Sequence, residues 1–288
     1  MKYCLIVSIA IIKGFLVGFA ETDILYSTET DQALLVEGYE KLRSGKSNEA
    51  LNAFEKVFQQ DANNSDARFG QAIVFAEQER HKDAFAAYDW LIQQNPHHAD
   101  AWNGRGLAAF NMGDFDEALA SFKMSIADQP TNGFFYEALA WTQMCRGEFA
   151  EAAEWAKKAL LMYQRRNETP LYPLLIAYFS YHESGDAENA LRVLRYANQN
   201  RPSNKWPTQV IDYLNGKIDE AALISFVSNL SEETEARTYI GLHMRSFGQT
   251  EKAKLHLNWV GHNGDSKVFE YTFARTLVPK NGIVLLER

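Results

Sequence analysis

Cysteine is scarce in this chain of 288 residues. It has two, Cys4 and Cys145, and Cys4 lies in a segment that we expect to be removed. One remaining thiol can form neither an intrachain disulfide nor a cysteine-based zinc site. Arg146 is its sole local basic neighbour in the sequence, so we interpret Cys145 as a structural residue rather than a nucleophile.

Positive charge is in deficit as well. The chain carries 29 Lys and Arg against 37 Asp and Glu, a net charge of −8, and it has no basic cluster. Nucleic acids and anionic lipids are bound through clustered Lys and Arg, which release counterions or attract the membrane surface. We therefore exclude both as partners.

Catalytic and metal-binding motifs are also missing. The seven His include no pair at i and i+4 with an intervening Glu, which the helix of a zinc hydrolase needs. The sequence has no phosphate-cradling glycine loop and no serine framed as a nucleophile elbow. We predict a protein that is not an enzyme and that has no metal and no cofactor.

The N-terminal segment has the layout of a secretory signal peptide. Lys2 precedes an unbroken apolar run, and Gly18–Ala20 supplies small residues at the cleavage positions. Residues 1–20 are therefore predicted to be cleaved near Ala20, which gives an exported, periplasmic protein without a stable membrane span in the mature chain. The alternative is an uncleaved N-terminal anchor, although Lys13 interrupts the apolar stretch.

A pair of residues spaced by five recurs along the rest of the chain. The pairs are Gly45 with Ala50, Glu79 with Ala84, Gly113 with Ala118, Gly147 with Ala152, Gly185 with Ala190, Gly216 with Ala221, and Gly248 with Ala253. Successive alanines are 34, 34, 34, 38, 31 and 32 residues apart. A bulky apolar residue follows most of the alanines by four positions, and a small residue precedes several of them by twelve. This pattern predicts antiparallel helix pairs that approach closely at small residues, with a left-handed glycine at the end of each first helix.

The spacing of 34 with this pattern resembles the tetratricopeptide repeat family over residues 31 to about 265. The resemblance implies an all-α fold, a right-handed superhelical solenoid of about seven helix-turn-helix repeats with a C-terminal capping helix. We assign repeats one to four to residues 31–166, repeats five to seven to 167–265 with the sixth degenerate, and the capping helix and tail to 266–288. Thr169 and Pro170 suit the start of the fifth repeat, and Ser266 suits the cap of the closing helix.

In this family the first helices line a concave groove, so the resemblance implies that partner proteins or peptides bind there. The inward positions form an aromatic and apolar surface, of which we expect about half to be buried between helices. The candidate partner-binding residues are Tyr39, Phe69, Asn103, Phe110, Phe134, Trp141, Tyr172, Phe179 and His182. A clamp for a C-terminal carboxylate would need Lys, Arg and Asn at inward positions that here hold Leu35, Tyr39, Ile73, Asp100 and Gly104, which excludes that type of chaperone co-factor.

A narrower resemblance covers roughly residues 200–278. The segments Trp206–Val210, Glu235–Gly241 and Glu270–Ala274 are similar to the C-terminal half of bacterial periplasmic adaptor lipoproteins of the new-lipoprotein-I type. This resemblance implies a non-catalytic scaffold or adaptor of the cell envelope that coordinates peptidoglycan hydrolases and a protease. The chain lacks the lipid-accepting cysteine, so tethering to the outer membrane is not implied. A component of a secretion or polysaccharide-export apparatus is the alternative, and a homodimer is left open.

Overall fold

The computed structural model describes residues 29–168, 170–201 and 205–278. Within these ranges the chain forms fifteen helices and no strand. They are α1 (Glu29–Arg43), α2 (Ser47–Gln60), α3 (Ser65–Glu77), α4 (His81–Gln94), α5 (Ala99–Met112), α6 (Phe115–Asp128), α7 (Gly133–Cys145), α8 (Phe149–Gln164), α9 (Tyr172–Glu183), α10 (Ala187–Asn200), α11 (Thr208–Leu214), α12 (Glu220–Ser225), α13 (Leu230–Ser246), α14 (Thr250–Asn263) and α15 (Phe269–Leu277). The predicted signal peptide, residues 1–20, lies outside the described residues.

The helices pair as the repeat spacing predicts. Helices α1 to α8 form four consecutive pairs, α9 and α10 form the fifth, and α13 and α14 the seventh. The sixth pair consists of the short helices α11 and α12, with 7 and 6 residues, in agreement with its degenerate sequence. The all-α repeat fold is therefore confirmed.

The turns inside the repeats use a left-handed residue at a fixed place. The glycine of each pair has a φ between 68° and 80°, a region that a glycine enters without steric cost. In the second repeat Glu79 occupies the same place with a φ of 59°. The glutamate thus preserves the turn geometry at an energetic cost that the other repeats avoid.

Small residues on several first helices make room for a bulky apolar side chain on the second helix of the same repeat. A Cβ atom added to Gly38 would lie 2.6 Å from the Phe54 ring, and one added to Gly70 of the next repeat would also overlap that ring. Phe54 is fully buried. The same relation joins Gly106 to Phe122 at 2.7 Å and Gly241 to Leu257 at 2.8 Å. The small and bulky positions of the repeat are therefore direct packing partners, as the pattern predicts.

The contacts divide the chain into two compact units, one ending at Pro130 and the other beginning at Thr131. The first contains repeats one to three, and the second contains repeats four to seven with α15. The sequence assignment of repeats one to four to residues 31–166 and of repeats five to seven to residues 167–265 stays a prediction. In the structure, α8 and α9 pack extensively across the insertion that follows Arg166, so the inserted residues lengthen a loop without separating the helices.

The fifth repeat begins later than the sequence predicts. Helix α9 starts at Tyr172, the residue at its N-cap position is Leu171, and Pro173 lies in the first turn. Pro170, predicted at the first helical position, precedes the helix. Both prolines are acceptable near a helix start because the N–H that proline lacks would have no intrahelical partner in the first turn. The presence of a proline therefore could not fix the boundary. Thr169, predicted as the cap, lies outside the described residues.

The closing helix is present, but its cap and its contacts differ from the prediction. Helix α15 begins at Phe269, and its N-cap position, Val268, makes no side-chain capping bond. Ser266 does not cap it; the preceding turn is held by Asp265, which accepts bonds from the Lys267 N–H at 3.0 Å and from Ser231 Oγ at 2.5 Å. Helix α15 packs on α13 and α14 of the last repeat, as predicted, and also on α7 of the fourth repeat.

Candidate protein-binding surfaces

The predicted partner-binding residues all lie on the first helices of their repeats, but their exposure varies. Tyr39, Phe134, Tyr172 and His182 are half-buried. Five side chains are at most 2 % exposed, namely Phe69, Asn103, Phe110, Trp141 and Phe179. This division agrees with the expectation that about half of the inward positions pack inside the fold. The binding role of the nine residues stays a prediction.

In the first unit the buried aromatics pack locally. Phe69 stacks on the imidazole of His98, with 5.2 Å between ring centroids, and meets Tyr88 edge-on at 6.0 Å. Phe110 meets Phe115, the first residue of the following helix, edge-on at 5.6 Å. Phe69 and Phe110 are therefore packed inside the first unit, and a partner protein cannot contact them.

In the second unit the chain's own last helix covers two of the predicted groove residues. Trp141 stacks on Phe269 with 6.1 Å between centroids and 6° between ring planes, and it lies 5.8 Å from Phe273. Phe134 lies 6.1 Å from Phe269. The surface that the sequence presented as an open groove over α7 is therefore occupied by α15.

Of the remaining candidates of the second unit, two contact α13 and the third packs on its own helix. Phe179 stacks on Tyr239 of α13, with 5.7 Å between centroids and 6° between planes. Tyr172 donates a hydrogen bond of 2.9 Å to Glu235 Oε2. His182 meets Tyr178 edge-on at 4.7 Å, and burial lowers the pKa of its imidazole.

Three carboxyl groups converge beneath these aromatics. Glu137, Glu235 and Glu270 are at most 2 % exposed, and each accepts a hydrogen bond from a tyrosine: Tyr163 at 3.0 Å, Tyr172 at 2.9 Å and Tyr239, respectively. Trp206 Nε1 also donates to Glu235 Oε2 at 2.5 Å. The residues come from α7, α13 and α15 with phenols from α8, α9 and α13. Sequence reasoning missed this cluster because no local pattern joins positions so far apart in the chain.

Burial changes the acidity of this cluster. Desolvation, followed by the Glu270 carboxylate, raises the pKa of Glu235 well above its usual value. Desolvation raises the pKa of Glu270 to about 7 against the opposing hydrogen bond from Tyr239. The strongest electrostatic neighbours of these two groups are acids, phenols and an indole rather than cations, so ionisation near neutral pH is costly.

The first unit presents a face with a different character. Tyr39 on α1 donates a hydrogen bond of 2.9 Å to the backbone oxygen of Asp66, at the start of α3. Asp66 and Asp100 occupy the same position in successive repeats, and both are half-buried. His98 interacts electrostatically with both carboxyl groups, which places the three side chains in one neighbourhood. Leu107 follows Asp100 by two turns on the same side of α5. We call Tyr39, Asp66, His98, Asp100 and Leu107 the acidic face.

The carboxyl groups of the acidic face are desolvated without a firm counter-charge. Burial raises the pKa of Asp66 and of Asp100, and His98 is the one basic group that opposes this rise appreciably among the described residues. Burial lowers the pKa of His98 itself, so it is a weak source of positive charge. Beside Asp100 on the same helix, the Oδ1 atom of the buried Asn103 has no hydrogen-bond partner within the described ranges.

In the part of the chain that the structure describes, little supports a metal site, a cysteine nucleophile or a membrane-spanning helix. This part contains no group of three or more His, Cys, Asp and Glu residues that could hold a metal ion. Burial raises the pKa of the Cys145 thiol well above its usual value, which opposes formation of a nucleophilic thiolate. None of the helices between residues 29 and 278 combines the length and hydropathy needed to cross a bilayer.

Comparison with known proteins agrees with the repeat architecture. In solved structures, a crystal structure of the MamA protein superposes with a TM-score of 0.55 at 18 % identity, covering 66 % of this chain and 96 % of that one. MamA 41-end from Desulfovibrio magneticus RS-1 superposes with a TM-score of 0.55 at 15 % identity, covering 62 % of this chain and 100 % of that one. At these identities the likeness concerns the fold alone. No curated protein matches the chain significantly.

A family model described as tetratricopeptide repeat matches residues 35–89, 83–133 and 112–168. These matches overlap and span the first four helix pairs. Proteins of this repeat type are generally non-catalytic scaffolds that mediate binding between proteins. Residues 35–168 are therefore tetratricopeptide repeats, the repeat type of protein-binding scaffolds, and the described chain has the all-α repeat fold of the MamA structures.

Proposed function

We propose that this protein is a non-catalytic scaffold of the bacterial cell envelope that binds a basic segment of a partner protein on its acidic face. The observation that carries the proposal is the pair of half-buried carboxyl groups, Asp66 and Asp100, in equivalent positions of adjacent repeats. Their spacing by one repeat suits successive basic residues of one bound segment.

A Lys or Arg of the partner would donate hydrogen bonds to these carboxylates and so replace the water contacts that they lose on burial. Hydrogen bonds that involve a charged group contribute about 1.5–3 kcal/mol each. Tyr39 is hydrogen-bonded to the Asp66 backbone, and Leu107 lies two helical turns after Asp100 on α5. Both are half-buried, so a side chain of the partner can cover their apolar surface. Binding through a few such residues is typical of peptide-recognition grooves.

The envelope location is part of the proposal. It is supported by the signal-like segment, residues 1–20, and by the similarity of residues 200–278 to periplasmic adaptors of the new-lipoprotein-I type. In this role the scaffold would bring peptidoglycan hydrolases to a processing protease. Fractionation of cells that express the full chain, or a chain without residues 1–20, tests export: the full chain alone should be recovered from the periplasm, and equal cytoplasmic recovery of both would contradict it.

The binding test uses peptides that differ only in charge. Labelled peptides with Lys, Gln or Glu at two positions are titrated into the full-length protein, and binding is followed by fluorescence anisotropy. The Lys peptide should bind best, and Asp66→Asn with Asp100→Asn should weaken its binding by about tenfold or more, since about 1.4 kcal/mol corresponds to tenfold.

The matched control removes the same charge elsewhere in the first unit. Glu55 and Asp61 are exposed at α2 and at its end, so Glu55→Gln with Asp61→Asn alters the net charge equally. This control should leave binding unchanged. Equal weakening by both double variants, or no preference among the three peptides, would rule out the acidic face as the binding surface.

A further inference from the structure

The last helix of the chain occupies an aromatic surface in the manner of a bound ligand helix. Phe269 and Phe273 are four residues apart, so they share one face of α15, and both contact Trp141 of α7. The phenylalanine side chains are at most 5 % exposed. An amphipathic helix seated on a groove through residues one turn apart is a common mode of recognition between proteins.

This seating brings a third carboxyl group into an already acidic site. Glu270 lies between the two phenylalanines in the sequence and is fully buried. One of its oxygens accepts a hydrogen bond from Tyr239, and the other, Oε2, has no hydrogen-bond partner in the described segments. A buried carboxyl oxygen without a donor is costly, and more so when the group is ionised.

The groups around Glu270 come from each neighbouring helix. Helix α7 contributes Glu137, and α13 contributes Tyr239 and Glu235. Helix α9 contributes Tyr172, whose phenol is influenced by Glu235, Glu270 and Glu137. Helix α14 packs against α15 through apolar side chains, Leu257 and Val260 against Ala274. The immediate surroundings of Glu270 are thus phenols, carboxyls and hydrocarbon.

The sign of the pH effect follows from the raised pKa of the docked helix. Burial raises the pKa of Glu270 from 4.5 to about 7, so the protonated form favours docking. Through Glu270, docking is strongest below about pH 4.5 and weakens as the pH rises to about 7. Ionisation of Glu270 therefore weakens docking, and the raised pKa of Glu235 acts in the same direction.

We infer that the aromatic surface of α7 is a second binding site, for an amphipathic helix of a partner protein, which α15 covers until the carboxyl groups around Glu270 ionise. The partner helix carries two aromatic residues one turn apart, as α15 does. It carries a basic residue where α15 has Glu270, because a cation there pairs with Glu137 and Glu235 and replaces the least favourable group of the intramolecular helix. The site is separate from the acidic face of the first unit and shares no residue with it.

Synthetic helices derived from α15 test this site on the full-length protein. Three labelled peptides span residues 266–278: the natural one, one with lysine in place of Glu270, and one with lysine there and alanine in place of Phe269 and Phe273. Fluorescence anisotropy at pH 5.5 and pH 8 measures their affinity. At pH 8 the peptide with lysine in place of Glu270 and both phenylalanines should bind at least about tenfold more tightly than the other two peptides. Its affinity should be lower at pH 5.5 than at pH 8, because α15 stays docked at pH 5.5.

The motion of α15 is measured directly by amide hydrogen exchange, corrected for the intrinsic pH dependence of the rate. Protection of residues 269–277 should fall between pH 5.5 and pH 8, and Glu270→Gln should make this fall clearly smaller, with Glu235 responsible for the remainder. Glu251→Gln is the matched control, because the Glu251 side chain is 85 % exposed on α14, and it should leave the fall unchanged.

Three results would overturn the inference. The first is equal binding of the lysine peptides with and without the two phenylalanines. The second is protection of α15 that does not depend on pH. The third is loss of lysine-peptide binding in the Asp66→Asn, Asp100→Asn variant, which would assign that binding to the acidic face instead. Any one of these results is enough to reject the inference. The proposed function is tested separately, by the Lys, Gln and Glu peptides and the Glu55→Gln, Asp61→Asn control.

Discussion

The indole of Trp141 lies parallel to the ring of Phe269, with 6.1 Å between their centroids and 6° between their planes. The two residues are on the first helix of the fourth repeat and on the last helix of the chain. Their contact turns a predicted open groove into an internal surface of the second unit. Because α15 covers the aromatic positions of α7, the proposed binding surface for a partner is the acidic face of the first unit.

The closing helix should contribute strongly to stability. Phe273 is fully buried against Trp141, so Phe273→Ala leaves a cavity and should lower the free energy of unfolding of the second unit by about 3–5 kcal/mol. Phe247 is 63 % exposed, and Phe247→Ala should change it by less than about 0.5 kcal/mol. Urea unfolding followed by circular dichroism measures both, and similar midpoints for the two variants would contradict the packing of α15.

The close packing of helices in the first repeat should be sensitive to a single methyl group. Gly38→Ala places a Cβ within 2.6 Å of the Phe54 ring and should destabilise the protein by about 1–3 kcal/mol. Because the clash is with the ring, the effect should be smaller in a Phe54→Leu background, as a double-mutant cycle would measure.

The control for this prediction is another helical glycine. A Cβ on Gly261 of α14 would meet nothing closer than Arg275 Cγ at 3.8 Å. Gly261→Ala should therefore stabilise the protein by about 0.5–1 kcal/mol through helix propensity. Destabilisation of equal size at both glycines would show that the space beside Phe54 does not limit the residue at position 38.

Replacing the glutamate in the left-handed turn of the second repeat should increase the stability of the protein. Glu79 has a φ of 59°, so Glu79→Gly should relieve backbone strain and raise the melting temperature, with a gain of about 0.5–1 kcal/mol. Gly113→Ala, at a φ of 79° in the third repeat, makes the opposite change and should cost about 1 kcal/mol. Calorimetry checks both, and a lower melting temperature for Glu79→Gly would show that its side chain contributes more than its backbone strain costs.

The stability of the second unit should fall as the pH rises from about 4.5 to about 7. Glu270 has a raised pKa in the folded protein, about 7, so its protonated form favours folding and its ionisation opposes it. Glu270→Gln preserves an acceptor for Tyr239 and removes this penalty, and should stabilise the protein by up to about 3 kcal/mol at pH 8 with little effect at pH 4. Urea unfolding at the two pH values measures the difference, and a loss of stability at pH 8 would contradict the cost of ionising Glu270.

The sequence was most informative where a single repeat determines the structure. The spacing between Gly38 and Phe54 predicted their contact, because the same spacing recurs and the two helices of a pair are joined by a short turn. It was less informative about the start of α9, since Pro170 and Pro173 both suit a helix start and packing decides between them. The convergence of Glu137, Glu235 and Glu270 depends on where α15 docks, and this is a long-range contact that no repeat pattern encodes.

The repeat pattern also could not predict which inward-facing side chains are exposed. Trp141 and Tyr39 both lie at inward positions of the repeat, yet α15 covers the first, whereas the second remains half-buried on the acidic face. Asp100 was noted in the sequence only as unsuited to a carboxylate clamp. Its desolvation next to Asp66 and His98 became visible only in the folded unit.

The measurement that tests the proposed function most directly is site-specific photo-crosslinking in living cells. A photoreactive residue is placed at Leu107 on the acidic face or, as a control, at Met124, which is 42 % exposed on the second helix of the same repeat. Crosslinked peptides are then sequenced. We predict a partner crosslinked at position 107 but not at 124, through a segment that contains Lys or Arg, and lost when Asp66→Asn and Asp100→Asn are introduced. Crosslinks at both positions to the same proteins, or at 107 to segments without basic residues, would contradict the proposal that the acidic face binds the partner.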